Sequence, residues 1–466
     1  MHLLIVAGFL ITQWSGPVNL GITGIDDMNP QTCRAQLWES PTCLVWQANI
    51  GGDWEIFSRI VHGNWSDTSR IPTGPGADIY PCVAYDTLRT RFWCAWQRYV
   101  DNNYEIYVSF RTSYGSWTTP IRLTNDTNID ASPSICIIGN NVWIAWRKNN
   151  NIYSCYYNGT SWSSPIPVTN DPIQVMNDNP KINNRHNNPF VVWVRNRDIY
   201  YSEHINNTWQ TPQAIAPHSA NDTLPEIAKE AHPYAPTDFK VWVFWQSNRD
   251  GNFEIYRTGY DSMNVFYRVT NNNSNDITPN PLDFVLPIRQ FTQIPSLVAF
   301  STDRNGTYDI YSLRNYWTGS YDTIPVDINP AQDISPVTTM VMGYPNFLWV
   351  FWETNRNGDW DIYGSYILSY GNVEESFTYQ GDNLIRCLPN PVINICQIRY
   401  NLTAQERVKL AVYAVNGELV REIADEIQSP GDHYIKIKTD FFNNGVYFIK
   451  LETEKYSAVE KLVVVK

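Results

Sequence analysis

The amino-acid sequence predicts an all-β protein in two parts: a seven-bladed β-propeller closed by its N-terminal strand, followed by a small immunoglobulin-like β-sandwich. Three observations predict this fold class. Aromatic residues make up 14% of the 466 residues, and 29 Pro and 24 Gly interrupt the chain, which favours short strands over long helices. A blade-sized motif recurs seven times, and the composition changes near residue 380.

The repeat is defined by an apolar run that ends in an aromatic residue and is followed by a Glu/Asp-Ile-Tyr-like tripeptide. The seven aromatic anchors are Trp46, Trp96, Trp146, Trp193, Trp245, Phe300 and Trp352. Steps of 50, 50, 47, 52, 55 and 52 residues separate them, and the pattern predicts four short strands in each repeat. A four-stranded unit cannot bury both faces alone, so radial stacking around an axis is expected.

Each repeat opens with an Asp or Asn three residues before a Pro. The openings are Asp27, Asp78, Asp130, Asn177, Asp222, Asp276 and Asp333. Proline is tolerated at the start of a strand, and a preceding Asp can bond nearby backbone amides. The pattern predicts the entry to each innermost strand.

The N-terminal segment is predicted to close the ring. Residues 14–20 match the outer strands of the other repeats but precede the first Asp opening, so residues 10–21 should form the outer strand of blade seven. The apolar run at residues 3–11 lacks a preceding Lys or Arg and a cleavage pattern, so we expect any signal peptide upstream of Met1. No stretch reaches the roughly 20 apolar residues of a membrane span, and we expect a soluble mature protein.

Residues 245–256, which read Trp-Gln-Ser-Asn-Arg-Asp-Gly-Asn-Phe-Glu-Ile-Tyr, resemble TolB-like and WD40-like propeller repeats. The resemblance covers roughly residues 22–368. It implies an architecture and no particular activity, because propellers support binding, scaffolding and catalysis alike. We predict a propeller over residues 1–375.

The last 80 residues differ in composition and pattern. Every Trp lies at or before Trp360, whereas seven of the eleven Lys follow Cys387, and period-2 alternation indicates short strands. Residues 389–391 (Pro-Asn-Pro), 431–433, 445–448 (Gly-Val-Tyr-Phe) and 461–466 together resemble the type A sorting domain of the type IX secretion system. The alternative is an ordinary immunoglobulin-like accessory domain.

This resemblance implies a sorting domain at residues 387–466, joined by a linker at residues 376–386. It also implies that the type IX secretion machinery is a partner of residues 387–466. The expected location is the medium or the outer-membrane surface of a Gram-negative, Bacteroidetes-like bacterium.

Several functional classes lack support. The formal charge of −12 comes without a basic stripe, which argues against nucleic-acid binding. The chain has no Gly-x-Ser-x-Gly elbow, His-Glu-x-x-His pair or phosphate-binding glycine loop. Residues 69–72 (Ser-Arg-Ile-Pro) resemble a sialidase motif, but they align with residues 120–124, the ordinary outer strand of the next repeat.

Eight cysteines form four close pairs in the sequence: Cys33 with Cys43, Cys82 with Cys94, Cys136 with Cys155, and Cys387 with Cys396. Cross-strand disulfides would suit an exported protein, but buried free thiols are equally consistent with the spacing.

The candidate site is the channel rim. Asp27, Asp78, Asp130, Asp222, Asp276 and Asp333 either form an acidic ring that holds a cation or a sugar, or each caps a turn of its own blade; we favour the cap. The hairpins at residues 249–252 and 355–359 offer few of the oxygen ligands that calcium needs, so no cofactor is expected and calcium stays open.

We therefore predict a noncatalytic, monomeric binding scaffold for an extracellular protein or glycan. The alternative is a glycan-binding lectin or a sialidase-like glycoside hydrolase, because paired carboxylates from different blades would leave no local trace in the sequence.

Overall fold

The computed structural model describes residues 14–33, 41–62, 64–66, 68–72, 74–113, 115–232, 235–259, 262–283, 297–314, 322–341, 346–369, 385–388, 392, 395–402, 404–414, 418–453 and 457–464. The chain divides into two compact units, Met1–Asn372 and Val373–Lys466. Across these described ranges every regular element is a strand, which confirms the all-β class. They contain no helix of the length and apolarity needed to cross a membrane.

The first unit contains seven antiparallel sheets, numbered here in chain order. Sheet 1 has Asp27–Thr32, Thr42–Ile50, Asp53–His62, Asn64–Trp65 and Ser69–Arg70. Sheet 2 has Asp78–Asp86, Arg91–Val100, Asn103–Thr112 and Ile121–Arg122. Sheet 3 has Asp130–Ile138, Asn141–Lys148, Asn151–Tyr157 and Ile166–Pro167. Sheet 4 has Asn177–Arg185, Asn188–Arg195, Asp198–Ile205, Thr208–Trp209 and Gln213–Ile215.

The remaining three sheets follow the same order. Sheet 5 has Asp222–His232, Ala235–Ser247, Glu254–Gly259 and Ser262–Arg268. Sheet 6 has Asp276–Pro281, Leu297–Thr302, Asp309–Arg314 and Asp322–Asp327. Sheet 7 has Asp333–Val341, Asn346–Thr354, Asp361–Ser369 and, from the start of the chain, Val18–Asn19. Every predicted Asp or Asn opening is the first residue of its sheet's inner strand.

The cores lie between neighbouring sheets. The seven anchors are at most 1% exposed, and each apolar cluster joins residues of two adjacent sheets. One cluster joins Val45 of sheet 1 to Phe92 of sheet 2, and another joins Leu44 of sheet 1 to Phe351 of sheet 7. Each sheet therefore buries its two faces against its neighbours, and sheet 1 also packs against sheet 7.

The strand Val18–Asn19, from the start of the chain, pairs with the strand Asp361–Ser369 of sheet 7. Val18 pairs with Gly364 and Asn19 with Tyr363. The indole Nε1 of Trp14 donates to Ser312 Oγ of sheet 6 at 3.3 Å. Trp117 of the sheet 2 segment bonds Ser58 of sheet 1 in the same way, at 2.9 Å. Trp14 thus occupies the outer-strand aromatic position of sheet 7; residues 10–13 lie outside the described residues.

Each inner strand contains a bulge directly after its opening residue. The residue two positions after the opening has a positive φ, between 50° and 54°, in all seven sheets: Asn29, Tyr80, Ser132, Asn179, Leu224, Thr278 and Ser335. The strand pairing shifts register at the same point in each sheet. A left-handed residue at a bulge turns its N–H away from the strand's own ladder.

The second unit consists of two sheets. One contains Ile385–Leu388, Ile395–Leu402 and Gly431–Lys438, and the other contains Glu406–Ala414, Leu419–Gln428, Gly445–Glu452 and Ser457–Val464. Both contribute to one core, with Ile398 and Ile437 from the first and Leu410 and Ile449 from the second. This is a β-sandwich; the immunoglobulin-like topology stays a prediction.

Two features of the second unit differ from expectation. Ile385 and Arg386, placed in the predicted linker at residues 376–386, belong to a strand, and the rest of that linker lies outside the described residues. The strand Leu419–Gln428 was not predicted, because it is largely exposed on both faces and carries three acidic residues, so it shows no apolar alternation.

Candidate functional site

The six aspartates of the predicted acidic ring are fully buried. Asp27, Asp78, Asp130, Asp222, Asp276 and Asp333 are all 0% exposed. In the first sheets the anchor of the same sheet bonds them: Trp46 Nε1 donates to Asp27 Oδ1 at 2.9 Å, and Trp146 Nε1 donates to Asp130 Oδ1 at 2.6 Å. These carboxylates therefore tie the strand opening to the anchor.

In sheets 5 to 7 an arginine of the hairpin bonds the opening aspartate. Arg249 Nη2 donates to Asp222 Oδ2 at 2.7 Å, and Arg304 and Arg356 bond Asp276 and Asp333 in the same way. Each guanidinium also lies over a tyrosine of its own sheet, 4.4 to 4.8 Å from the ring centroid. The hairpins at residues 249–252 and 355–359 thus make internal contacts, and the described residues hold no group of three acidic, His or Cys side chains suited to a metal.

Burial dominates the electrostatics of the opening aspartates. It raises the pKa of Asp27 to about 7 and the pKa of Asp78 to about 6, although indole and guanidinium donors partly offset it. A carboxylate buried in this way cannot reach a ligand without movement of its strand. All six aspartates thus make their bonds within the first unit, which agrees with the favoured role inside the repeat. Their part in ligand binding stays a prediction.

A cavity of about 450 Å³ lies where the inner strands of all seven sheets converge. Its lining includes one residue per sheet at the fourth position after the opening: Gln31, Cys82, Ser134, Lys181, Glu226, Asn280 and Val337. Small-ligand sites in proteins have volumes of roughly 300–1,000 Å³. This central cavity is therefore the candidate functional site.

Two ion pairs between neighbouring sheets form one side of the central cavity. Arg147 Nε of sheet 3 lies 3.1 Å from Asp178 Oδ1 of sheet 4. Lys181 Nζ of sheet 4 lies 2.5 Å from Glu226 Oε1 of sheet 5. The four side chains keep 24% to 41% of their surface exposed, so they remain accessible to a ligand in the cavity.

A third carboxylate, Asp283, follows the inner strand of sheet 6. Asn183 Nδ2 of sheet 4 donates to Asp283 Oδ2 at 2.9 Å, and the backbone N–H of Lys229 in sheet 5 donates to Asp283 Oδ1 at 2.9 Å. Asp283 therefore links three sheets. Each carboxylate of the cavity has a cation or N–H donors within hydrogen-bond reach.

On the other side of the cavity, the described lining residues carry no charge. Sheets 1, 2 and 7 contribute amide, hydroxyl and phenol groups there, from Asn29, Gln31, Thr32, Tyr80, Gln97 and Thr338. Tyr80 lies at the bulge of its strand and is 50% exposed. The cavity thus combines a charged wall with a neutral polar wall.

Sequence reasoning missed the cavity residues because each is unremarkable in its own repeat. Aligning the repeats at their openings and reading the fourth position would have shown Lys181 and Glu226 as the two charged residues among seven. Their proximity, however, depends on the order of sheets 4 and 5 around the cavity.

The bulges carry a second set of contacts between sheets. In three cases a Gln that follows the anchor accepts a hydrogen bond from the bulge N–H of the next sheet: Gln47 from Tyr80 at 2.9 Å, Gln97 from Ser132 at 2.7 Å and Gln246 from Thr278 at 2.8 Å. Between sheets 7 and 1 the same position is Glu353, which accepts from Asn29 N at 2.7 Å.

Glu353 is 2% exposed, and its burial raises its pKa to about 7. One hydrogen bond between the last and first sheets therefore uses a carboxyl group with a pKa near neutrality, whereas Gln47, Gln97 and Gln246 supply a neutral amide at the corresponding position.

The cysteine pairs differ in geometry. Cys33 lies opposite Cys43 in one cluster, and Cys387 and Cys396 lie in one core on adjacent strands. Cys82 and Cys94, in contrast, face different clusters from opposite sides of sheet 2, and Cys136 and Cys155 face different clusters from nonadjacent strands of sheet 3. All eight are free thiols in the structure.

A bridge within either of the latter two pairs would require the strands to rearrange. A disulfide between Cys33 and Cys43, or between Cys387 and Cys396, stays a prediction.

Ser69 and Arg70 of the sialidase-like motif form an outer strand of sheet 1, as the sequence predicts, and Arg70 bonds Glu55.

Comparison with known families assigns the second unit. The family described as "Secretion system C-terminal sorting domain" matches residues 386–465. These residues form a secretion sorting domain. The finding supports secretion to the cell surface or the extracellular space and an interaction with the type IX secretion machinery. No curated protein matches the chain.

Solved structures similar to the chain are remote. They include a puromycin-hydrolysing peptidase of Mycobacterium tuberculosis (9% identity, 84% of this chain and 60% of that chain, TM-score 0.46). PorZ, a surface component of the type IX secretion system of Porphyromonas gingivalis, is another (10% identity, 92% and 68%, TM-score 0.38). A third is the α-L-arabinofuranosidase PaAbf62A of Podospora anserina (13% identity, 51% and 90%, TM-score 0.32).

The chain spans only 60% of the peptidase, and all three TM-scores are below 0.5. We therefore draw no conclusion about activity from these likenesses. The TolB-like and WD40-like identity of the repeats stays a prediction.

Proposed function

We propose that the chain is an exported, noncatalytic protein whose first unit is a closed seven-bladed β-propeller and binds its ligand in the central cavity. The observation that carries the proposal is the cavity itself, to which the inner strands of all seven sheets contribute. The contact of sheet 1 with sheet 7, and the pairing of Val18–Asn19 with Asp361–Ser369, support the closed ring.

The environment of the cavity carboxylates favours binding over catalysis. A general acid for glycoside cleavage must be protonated near neutral pH, which requires an apolar or negatively charged environment. Asp178 and Glu226 instead lie beside Arg147 and Lys181, and Asp283 accepts two hydrogen bonds. Cations and N–H donors of the cavity wall therefore already engage these carboxylates.

The second candidate is a glycoside hydrolase, which the presence of three carboxylates in one cavity favours. A direct test incubates the purified full chain with a panel of aryl glycosides, oligosaccharides and peptides and measures product by chromatography. We expect no turnover. Turnover that Asp178→Asn or Glu226→Gln abolishes would overturn the noncatalytic proposal.

Export is proposed to follow the type IX route, with the sorting domain read by the secretion machinery at the outer membrane. Expression in a bacterium with that machinery, with and without residues 386–466, tests the route. We expect the intact chain at the surface or in the medium and the shortened chain in the periplasm. Surface delivery of the shortened chain would contradict this part of the proposal.

A further inference from the structure

We propose that the ligand of the central cavity is a neutral saccharide, and that each ion pair of the charged wall binds one of its hydroxyl groups. This inference rests on the proposed function, because it specifies the ligand class of the same cavity. It is carried by the ion pairs Arg147–Asp178 and Lys181–Glu226 and by the neutral polar wall opposite them.

The pairing of charges in the wall disfavours a charged ligand. An anionic ligand would compete with Glu226 for Lys181, and a cationic ligand would compete with Lys181 for Glu226. Either would leave one partner of a partly buried pair without a counter-charge, which is costly. A neutral ligand binds while both ion pairs stay intact.

The spacing of the charged atoms suits hydroxyl groups in particular. Lys181 Nζ and Glu226 Oε1 are 2.5 Å apart, so one small group can contact both. A hydroxyl donates one hydrogen bond and accepts others, so it can accept from the ammonium and donate to the carboxylate at the same time. A peptide N–H only donates and a carbonyl only accepts, so each would use one member of the pair.

Both members of the pair have unused capacity. An ammonium group has three N–H donors, and a carboxylate has about four acceptor positions. Hydrogen bonds to ionised groups are also roughly twice as strong as neutral ones. The second pair, with Arg147 Nε 3.1 Å from Asp178 Oδ1, lies one sheet away. Arg147 Nε itself is buried, so a hydroxyl would contact this pair through the terminal guanidinium N–H groups and Asp178. Neighbouring hydroxyls of a polyol could therefore use neighbouring ion pairs.

The opposite wall supplies groups that complete a saccharide site. Gln31 of that wall presents an amide at the same level of the cavity as Lys181 and Glu226. Asn280 of sheet 6 and Ser134 of sheet 3 add an amide and a hydroxyl at this level, beside the charged wall. Tyr80 adds a half-exposed aromatic ring, whose apolar face can cover the C–H face of a sugar.

The test uses the purified full chain. Its binding is first screened on an array of neutral oligosaccharides, saccharides bearing uronic or sialic acids, and peptides. The best neutral oligosaccharide is then titrated by calorimetry against the wild type, Lys181→Met and Glu226→Gln. Asp101→Asn is the matched control, because Asp101 also pairs with an arginine, Arg122 at 2.9 Å, but does not line the cavity.

We expect neutral oligosaccharides to bind, each cavity variant to lower the affinity at least about tenfold, and the control to stay within about twofold of the wild type. Trp fluorescence melting of each variant checks folding. Glu226→Gln changes no volume, so it keeps the test valid if Lys181→Met does not fold.

The failures are distinguishable. Preference for anionic saccharides or peptides, weakened by the same variants, would overturn the neutral-saccharide inference and leave the cavity as the binding site. Saccharide binding that neither variant weakens would overturn the role of the ion pair. Absence of binding to all three classes would overturn the inference. Saccharide turnover would overturn the noncatalytic function while leaving saccharide recognition.

Discussion

Replacing Glu353 with glutamine should stabilise the first unit above pH 7 and change its stability little below pH 4.5. The carboxylate joins the last sheet to the first through the N–H of Asn29. Gln47, Gln97 and Gln246 make the equivalent contact as neutral amides, so the Glu353→Gln variant should keep the hydrogen bond and remove the buried charge.

The magnitude follows from the pKa of Glu353, which is about 7 in the folded chain against 4.5 for an ordinary glutamate. Because the folded-state pKa is raised, the stability contribution is complete below pH 4.5 and is lost as the pH rises through about 7. The pKa differs by about 2.5 units between the folded and unfolded chain, and one unit corresponds to about 1.4 kcal/mol. Ionised Glu353 should therefore lower the free energy of unfolding by about 3 kcal/mol above pH 7 and by about 1 kcal/mol at pH 5.

Urea unfolding followed by Trp fluorescence measures the effect in the full chain, because every Trp lies at or before Trp360 and therefore reports on the first unit alone. The difference in unfolding free energy between Glu353→Gln and the wild type should grow between pH 5 and pH 8. The converse variant Gln47→Glu should acquire a loss of stability above neutral pH. A constant difference across this range would refute the reasoning.

Three further outcomes are expected. Trp46→Phe should lower the unfolding free energy by about 1–3 kcal/mol, because it removes a hydrogen-bond donor from the buried carboxylate of Asp27. Trp245→Phe should lower it less, because the Trp245 indole N–H has no hydrogen-bond partner among the described residues. Urea unfolding followed by circular dichroism compares the two variants. Trp14→Ala should cost about 3–5 kcal/mol by leaving a cavity and losing the bond to Ser312, and should speed proteolysis near the N-terminus. A Cys33→Ser variant should unfold at the same urea concentration with and without reductant, as should the wild type if these thiols are free; a reductant-sensitive wild type would instead indicate a Cys33–Cys43 bridge.

The candidate site could be predicted only in part. The opening aspartates were identifiable from their position before a proline. Their burial, and the hydrogen bonds that Trp46 and Arg249 donate to two of them, are consistent with a role inside the repeat. Lys181 and Glu226 could not be identified as partners, because 45 residues separate them and only the neighbouring positions of two sheets bring their charged atoms within 2.5 Å.

The repeat itself was determined by local chemistry that can be read from the chain. Proline at a strand start, alternating apolar residues and Asn/Gly hairpins act over a few residues, so they determined the seven inner strands, their anchors and the change to a second unit. Contacts between sheets act over distances that the sequence does not record. Only the tertiary structure therefore decided which polar residues face one cavity, which carboxylates are buried, and that Glu353 takes the place of a glutamine where the last sheet meets the first.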